Sequence, residues 1–437
     1  MSSKLNLAPP SGARDFLPQD MAFRLQVLGT VRAVFERHGF APMDTPAMER
    51  IETLTGKYGE EGEKLIFKIL KRGEQAATGE ADMALRYDLT VPSMRAISAN
   101  RHKLPRIFKR YAIGPVWRAD RPGKGRFREF YQCDVDIIGA ANVLADAEIL
   151  LAKAAALDAL NFPDFEIRLN SRKVLKGMMG AYGVPDAAQT AVIIAIDKLD
   201  KIGMPALGEE LAALGLPDGV AAGLFADISQ PDFSERLKVK LADHPDGAAG
   251  LAEVAAIQAA VAPALKRGSI PFDPLLARGM DYYTGAIFEF YATSFRSAIA
   301  GGGRYDGLIE MFSKKSEAVC GGSLGIERII MLLQEGAAPA RIGPTAYVTV
   351  WDSASAPGAL ALVGELRAEG VRAEIDLTGS GLGQQLRMAD ERGCRAAVIR
   401  GPDEAANGTA QVKQLESGVQ TTVALDKLAD HLLSLQG

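Results

Sequence analysis

The feature that most constrains the fold is a change of character between about Arg172 and Arg267. Here the chain turns rich in Ala, Leu, Asp and Lys, and Gly183-Val-Pro, Gly203-Met-Pro and Gly215-Leu-Pro break it into helix-length periodic runs. Strand-like runs stand on both sides. Ile107–Tyr111 and Phe130–Ile138 precede it, around a Gly/Pro/Arg-rich loop at Arg121–Arg126, and glycine-punctuated runs from Phe272 to Glu327 follow it. A strand pattern that stops and resumes predicts one sheet of mainly antiparallel strands, its two halves separated by an inserted helical domain.

The flanking regions complete the plan. After Pro18, the helical spacing of Met21, Leu25, Leu28, Val31 and Phe35 predicts an amphipathic helix that ends at Gly39, followed by an extended stretch from Phe40 to Pro46. From Thr345 the pattern alternates: Ala346–Trp351, a helix near Gly358–Glu369, Val371–Leu377, a helix near Leu382–Glu391, then Arg395–Arg400. Strands separated by helices predict a small α/β domain with a mixed or parallel sheet, joined through the Gly/Pro/Ala-rich stretch around Gly336–Pro344.

Composition excludes several classes of protein. A length of 437 residues allows two or three domains, and 48% hydrophobic with 24% charged residues is the balance of a folded globular chain. No apolar run approaches the roughly 18 residues of a bilayer span, and the opening MSSKLNLAPPSGARD has no apolar signal core, so a cytoplasmic protein with no membrane partner is expected. Three cysteines and four histidines lie far apart, which leaves neither a disulfide framework nor a zinc-ligand spacing. A net charge of −4 argues against coating nucleic acid by bulk positive charge.

Locally the charge is different. Residues 101–128 hold ten Lys/Arg against one acid, Asp120. Such a segment suits a polyphosphate or a nucleic-acid backbone, and equally a solvated basic face. Spacing sharpens it: Arg126, Phe130 and Asp134 are four apart, so on a strand they present a guanidinium, an aromatic surface and an acid on one face, the three contacts a nucleotide needs. Asp88 and Thr90 are two apart and suited to an ammonium and a polar neighbour. Arg278-Gly-Met-Asp-Tyr-Tyr-Thr-Gly285 joins an arginine, a carboxylate and paired tyrosines to glycine; Gly301-Gly-Gly-Arg-Tyr-Asp-Gly307 and Gly321-Gly-Ser-Leu-Gly-Ile-Glu-Arg328 permit close backbone approach to a ligand. Gly379-Ser-Gly-Leu-Gly383 is GxGxG rather than GxGxxG, so no nicotinamide site is expected there, and no GxxxxGK[ST] occurs, so any ATP is held otherwise than on a P-loop.

Taken together these segments resemble the histidyl-tRNA synthetase family of class II aminoacyl-tRNA synthetases, over almost the whole chain. Phe40–Glu49, Arg118–Asp136 and Gly321–Arg328 are similar to the three class motifs; the segments around Arg278–Tyr283 and Gly302–Gly307 are similar to the histidine-specific signatures; Leu386–Gly408 resembles the anticodon-binding domain. The resemblance implies an α+β class II catalytic domain at residues 1–333, with an antiparallel sheet core and a helical insertion at about 172–267. It also implies a linker at 334–344 and a C-terminal α/β anticodon-binding domain at 345–437.

The activity so implied is ligation of L-histidine to tRNA(His) through a histidyl-adenylate, by a homodimer using ATP and Mg²⁺. Arg118 and Arg328 are expected on the α- and γ-phosphates with Arg126 assisting, Asp120 in the ATP site, and Phe130 against adenine. Asp88 is expected to receive the α-ammonium and Thr90 to touch the substrates. Gln132, Asp136, Tyr282, Tyr283 and Tyr305 are expected around the imidazole, with Arg278 contacting histidine and the α-phosphate during adenylation. No residue is assigned to a metal. Asp88, Asp120 and Asp136 stand where many bacterial members carry glutamate, and Glu129–Asp136 reads like the eukaryotic motif. Two rivals are set beside this: a non-catalytic regulatory subunit of ATP phosphoribosyltransferase, which generally lacks the anticodon domain and the catalytic arginines, and an RNA-binding module without enzymology.

Overall fold

The computed structural model describes residues 6–56, 58, 62–277, 282–295, 297–313, 315–335 and 343–435, apart from the side chains of residues 200 and 201. The chain divides into two compact units, one holding Met1–Phe16 and Arg24–Glu335 and the other Leu17–Phe23 and Gly336–Gly437.

Helix α1 (Pro18–Arg37), which lies in the first unit from Arg24 on, buries Val27, Leu28, Val31, Val34 and Phe35 along one stripe, and the chain leaves it through Gly39 at φ 76°, a left-handed conformation that favours glycine. Strand β1 (Ala41–Pro42) follows. β2 (Met48–Arg50), β3 (Lys68–Leu70) and β4 (Ala81–Leu85) form a small separate antiparallel sheet. Helix α2 (Thr90–Asn100) comes next, although Leu85–Gly139 reads as irregular in sequence. Its Pro92 lies in the first turn, where a missing N–H costs no intrahelical bond.

The main sheet is built from β5 (Phe108–Trp117), β6 (Glu129–Ile138), β7 (Phe165–Ser171), β8 (Ala286–Ala292), β9 (Ala298–Arg304) and β10 (Val319–Leu324), in the order β1-β5-β6-β10-β9-β8-β7. Only the β1–β5 pairing is parallel. Between α2 and β7, helix α3 (Val143–Ala159) is capped by Asn142, whose side chain accepts from the Leu144 N–H. Lys153, fully buried on α3, donates to the carbonyl oxygens of Gly301 and Ser323 on the back of the sheet, at 3.0 and 3.4 Å.

Between the paired strands β7 and β8 the chain makes six helices, from Arg172 to Val261. The third of them, Leu199–Ala213, bends at Gly203, whose φ of 77° ahead of Pro205 breaks the hydrogen-bond ladder. The return to the sheet is pinned by the buried Asn170, whose amide donates to the carbonyls of Pro274 and Leu276 at 3.1 and 2.9 Å.

The second unit has β11 (Ala346–Val348), β12 (Ala373–Ile375), β13 (Ala396–Ile399), β14 (Thr409–Gln414) and β15 (Gln420–Ala424) in the order β12-β11-β13-β14-β15. β11 is parallel to both neighbours and the last two pairings are antiparallel, a mixed sheet. Ala346, Val348, Leu362, Val363, Val398, Val412, Leu428 and Leu432 form its core.

Candidate active site

Strand periodicity builds the site. On β6 the residues Phe130, Gln132, Asp134 and Asp136 are two apart and share a face; opposite them on β5 stand Val116, Gly114, Ala112 and Arg110, and on β10 Ser323 and Gly321 oppose Asp134 and Asp136. Arg110 and Asp136 are both fully buried, and the Arg110 Nη2 lies 2.5 Å from the Asp136 Oδ2. Tyr305 donates its hydroxyl hydrogen to the other Asp136 oxygen. A Cβ at Gly321 would collide with both that oxygen and the Tyr305 hydroxyl, so here glycine makes room for the protein's own side chains. Tyr282, Tyr283 and Tyr305 pack as a triangle, with ring centroids 4.9, 5.6 and 6.0 Å apart.

Asp88 closes this pocket from the start of α2. Its Oδ1 accepts from the Val91 N–H at 3.0 Å and from the Tyr58 hydroxyl at 3.1 Å. Two residues earlier, Arg86 donates to the Asp44 carboxylate and to the carbonyls of Thr45 and Pro115, which fixes the segment against the Phe40–Pro46 stretch. The Thr90 hydroxyl reaches the Asp134 Oδ2 at 3.3 Å, and the Leu89 N–H donates to the Gln132 side-chain oxygen at 3.1 Å. Asp88, Thr90, Gln132, Asp134 and Asp136 thus face one another. Burial pushes the Asp88 and Asp136 carboxyls up to about 6, against the lowering effect of Val91 and Arg118 on the first and of Arg110 on the second.

Beyond the acids lies an aromatic and cationic region. The Arg118 guanidinium carbon is 4.2 Å from the centroid of Tyr87 and 5.2 Å from that of Phe130, and its Nε donates to the Tyr87 carbonyl at 3.1 Å. Tyr87 in turn packs against Tyr58, the rings tilted with centroids 4.4 Å apart, so Tyr58, Tyr87, Arg118 and Phe130 form a column. The loop after Arg118 is closed by reciprocal Gly123–Arg126 backbone bonds of 3.0 Å and by an Arg126–Asp120 ion pair of 2.7 Å.

That loop lies against Arg328, because a Cβ at Gly125 would stand 3.2 Å from the Arg328 Cγ. Arg328 is in the first turn of α4 (Ile326–Glu335). Burial, with help from the Arg126 charge, lowers its pKa against the pull of Glu289. The preceding Glu327 turns to the other side. Burial alone would raise its pKa, but two bonds from Arg24, with the Tyr131 N–H and Arg14, hold it below the usual range. Glu327 therefore ties α1 and β6 to the helix that presents Arg328.

Of the residues expected at the site, Asp88, Thr90, Gln132, Asp136, Tyr282, Tyr283 and Tyr305 belong to the acidic pocket, Arg118 and Phe130 to the column beside it, and Asp120, Arg126 and Arg328 to the loop region. Arg278 lies outside the described residues, as do Gly279, Met280 and Asp281 of the same segment. The ten-cation segment does not make one basic face: Arg101 pairs with Glu317, Lys109 with Glu148, Lys124 with Glu335 and Arg110 with Asp136. Sequence reasoning missed Tyr58 and Glu327, counted Arg110 only as part of a patch, and named Asp134 without its Thr90 contact. In the second unit, half-exposed Trp351 borders an open hollow of about 460 Å³ with Gly401, Asp403, Gln411 and Lys413.

Comparison with known proteins gives matches over both units. A family model described as histidyl-tRNA synthetase matches residues 12–329, and one described as anticodon binding domain matches residues 345–435. A histidine–tRNA ligase of Gloeobacter violaceus is 38% identical, with 96% of this chain and 97% of the relative covered. The crystal structure of histidyl-tRNA synthetase from Nostoc sp. PCC 7120 superposes with a TM-score of 0.84 at 30% identity, covering 99% of this chain and 100% of that one. A Bacillus halodurans structure titled as an ATP phosphoribosyltransferase regulatory subunit/histidyl-tRNA synthetase has a TM-score of 0.74 at 21% identity, covering 91% and 99%, and shows the fold alone.

Proposed function

The chain belongs to the histidyl-tRNA synthetase family and is a histidine–tRNA ligase, and from that premise we propose which of its side chains carry each part of the reaction. Histidine lies with its α-ammonium toward Asp88, Thr90 and Gln132 and its imidazole toward Asp136, Tyr282, Tyr283 and Tyr305. ATP lies with adenine against Phe130, its α-phosphate at Arg118 and its γ-phosphate at Arg328, with Arg126 released from Asp120 to assist. The histidine carboxylate oxygen attacks the α-phosphorus, the bond to the bridging oxygen breaks, and pyrophosphate leaves. Negative charge gathers on the phosphoryl oxygens, where Arg118 and Arg278 stabilise it more than they stabilise the ground state.

Three or more His, Cys, Asp or Glu side chains placed to hold a metal do not occur among the described residues. Mg²⁺ would be held chiefly by the triphosphate oxygens of ATP and would neutralise phosphate charge there. In the second step the terminal ribose hydroxyl of tRNA(His) attacks the adenylate carbonyl and AMP leaves. Residues 345–437 bind the anticodon, for which the exposed Trp351 ring beside polar groups fits an unstacked base. The enzyme works in the cytoplasm as a homodimer, Phe40–Glu49 forming part of the contact.

The observation that carries the histidine assignment is the buried Arg110–Asp136–Tyr305 chain, which fixes an acceptor at the pocket floor. A site built to pair imidazole nitrogens rejects side chains that leave such groups unpaired. ATP–pyrophosphate exchange measured with each amino acid tests it. Histidine alone should support exchange; equal exchange with asparagine or glutamine would overturn the assignment.

A further inference from the structure

Inside the acidic pocket the charges do not balance. Asp88, Asp134 and Asp136 are all within 1% of complete burial, yet the one fully buried guanidinium among the described residues, that of Arg110, is paired with Asp136. Among the described residues neither Asp88 nor Asp134 has an ion pair. Moreover the Asp88 Oδ2 and the Asp134 Oδ1 are buried with no hydrogen-bond partner among those residues. Buried carboxylate oxygens left in this way are costly unless a donor arrives, and two of them in one pocket call for a cation with several N–H groups.

The bonds that are made orient both acids. The Oδ1 of Asp88 is taken by Val91 and Tyr58, and the Oδ2 of Asp134 by Thr90, which leaves one oxygen on each for a ligand. Asp134 stands on the same strand face as Gln132 and Asp136, midway between the residues assigned to the ammonium and those assigned to the imidazole. Its charge also reaches both neighbouring acids and raises each of them.

We propose that Asp134 is a second direct acceptor for the α-ammonium of histidine, so that the ammonium is bridged between the Asp88 Oδ2 and the Asp134 Oδ1. This rests on the reading of Asp88 as the ammonium acceptor. A primary ammonium offers three N–H donors, which these two oxygens and the Gln132 side-chain oxygen can accept. Asp134 thereby sets specificity for a free amine: an acylated or deaminated imidazole ligand leaves two buried carboxylates unneutralised.

The test uses the full-length enzyme with Asp134→Asn, and Asp134→Ser as a second replacement should the first fold poorly. Three ligands are compared: histidine as substrate in exchange, and histamine and 3-(imidazol-4-yl)propionate as competitive inhibitors, the first keeping the amine and the second lacking it. Losing one charge-assisted bond should raise the histidine KM and the histamine inhibition constant about 10- to 100-fold. The propionate should bind no more weakly than to the parent, and kcat should change much less than KM. Equal weakening of all three ligands would place Asp134 on the imidazole side or in pocket shape and overturn the proposal, as would no weakening at all. Asp88→Asn run in parallel separates the two readings: if it discriminates between the inhibitors and Asp134→Asn does not, only the Asp134 role falls, and if neither discriminates the Asp88 assignment falls too.

Discussion

Replacing Arg110 by methionine should destabilise the catalytic unit in a manner that grows with pH. Arg110 is fully buried and its Nη2 lies 2.5 Å from the Asp136 Oδ2. Breaking a buried pair by deleting one partner generally costs about 3–5 kcal/mol, but Asp136 limits the loss by taking up a proton. With Arg110 present its carboxyl is pushed by burial from 3.8 to about 6, so at pH 7 it is ionised, at a cost of about 3 kcal/mol relative to the unfolded chain. Without Arg110 its pKa rises further and the group is neutral at pH 7, a state that costs about 4.4 kcal/mol there. The sign follows from a folded-state pKa above the unfolded one: the stability is present at low pH and is lost as pH rises. The electrostatic difference between variant and parent is thus about 1.4 kcal/mol at pH 7 and widens by about 1.4 kcal/mol per pH unit until the variant's carboxyl ionises.

Urea unfolding followed by Trp117 on β5, in a Trp351→Phe background that removes the other tryptophan, reports on this unit. A gap between parent and variant that stays constant from pH 6 to pH 9 would refute the reasoning and leave only lost packing. The double replacement Arg110→Met/Asp136→Leu removes the titrating group and should abolish the slope, and it should lose histidine-dependent exchange with the proposed imidazole acceptor.

Two further outcomes are expected. The histidine KM should rise as pH falls through about 6, because a protonated Asp88 does not pair with an ammonium; the substrate imidazole titrates nearby, so the profile is read against Asp88→Asn, and identical profiles would remove Asp88 from the contact. A chain ending at Glu335 keeps every residue assigned to adenylation; it should retain exchange and lose aminoacylation through weaker tRNA binding, and a dimeric truncation that charges tRNA like the full chain would refute the anticodon assignment.

The parts of the site that were legible in the sequence are those governed by short periods. Residues two and four apart on β6 must share a face, so Phe130 and Asp134 could be grouped before any pairing was known, and Gln132 and Asp136 obey the same rule. The interruption between β7 and β8 was equally visible, because a change from strand-like runs to helical ones is a local property. Helix α2 was not, since its eleven residues Thr90–Asn100 carry a Pro in the first turn and little amphipathic contrast. What holds it is chiefly tertiary, for Val91, Met94 and Ile97 enter the core, and locally Asp88 accepts from its Val91 N–H.

What escaped the sequence depends on partners far along the chain. The cations of residues 101–128 could be read as a phosphate-binding surface or a solvated basic face because Glu148, Glu317 and Glu335, which neutralise three of them, lie outside that window. Arg110 looked like its neighbours until strand register set it opposite Asp136, and one residue of slip would have turned it to the other face. The glycines show the same limit. Read as room for a ligand, Gly321 instead admits Asp136 and Tyr305, and Gly303 the Tyr283 ring. Such glycines shape the pocket indirectly, since a Cβ at either position would displace the acid or the ring that lines it. Arg328 and Glu327 divide their work in the same way: adjacent on a helix and so about 100° apart around its axis, one turns toward the loop at Gly125 and the other anchors Arg24 and the Tyr131 N–H. The helix that presents Arg328, the cation proposed to meet the phosphates, is thus anchored through its neighbour Glu327, and only the packing of α1, α4 and β6 brings that anchorage about.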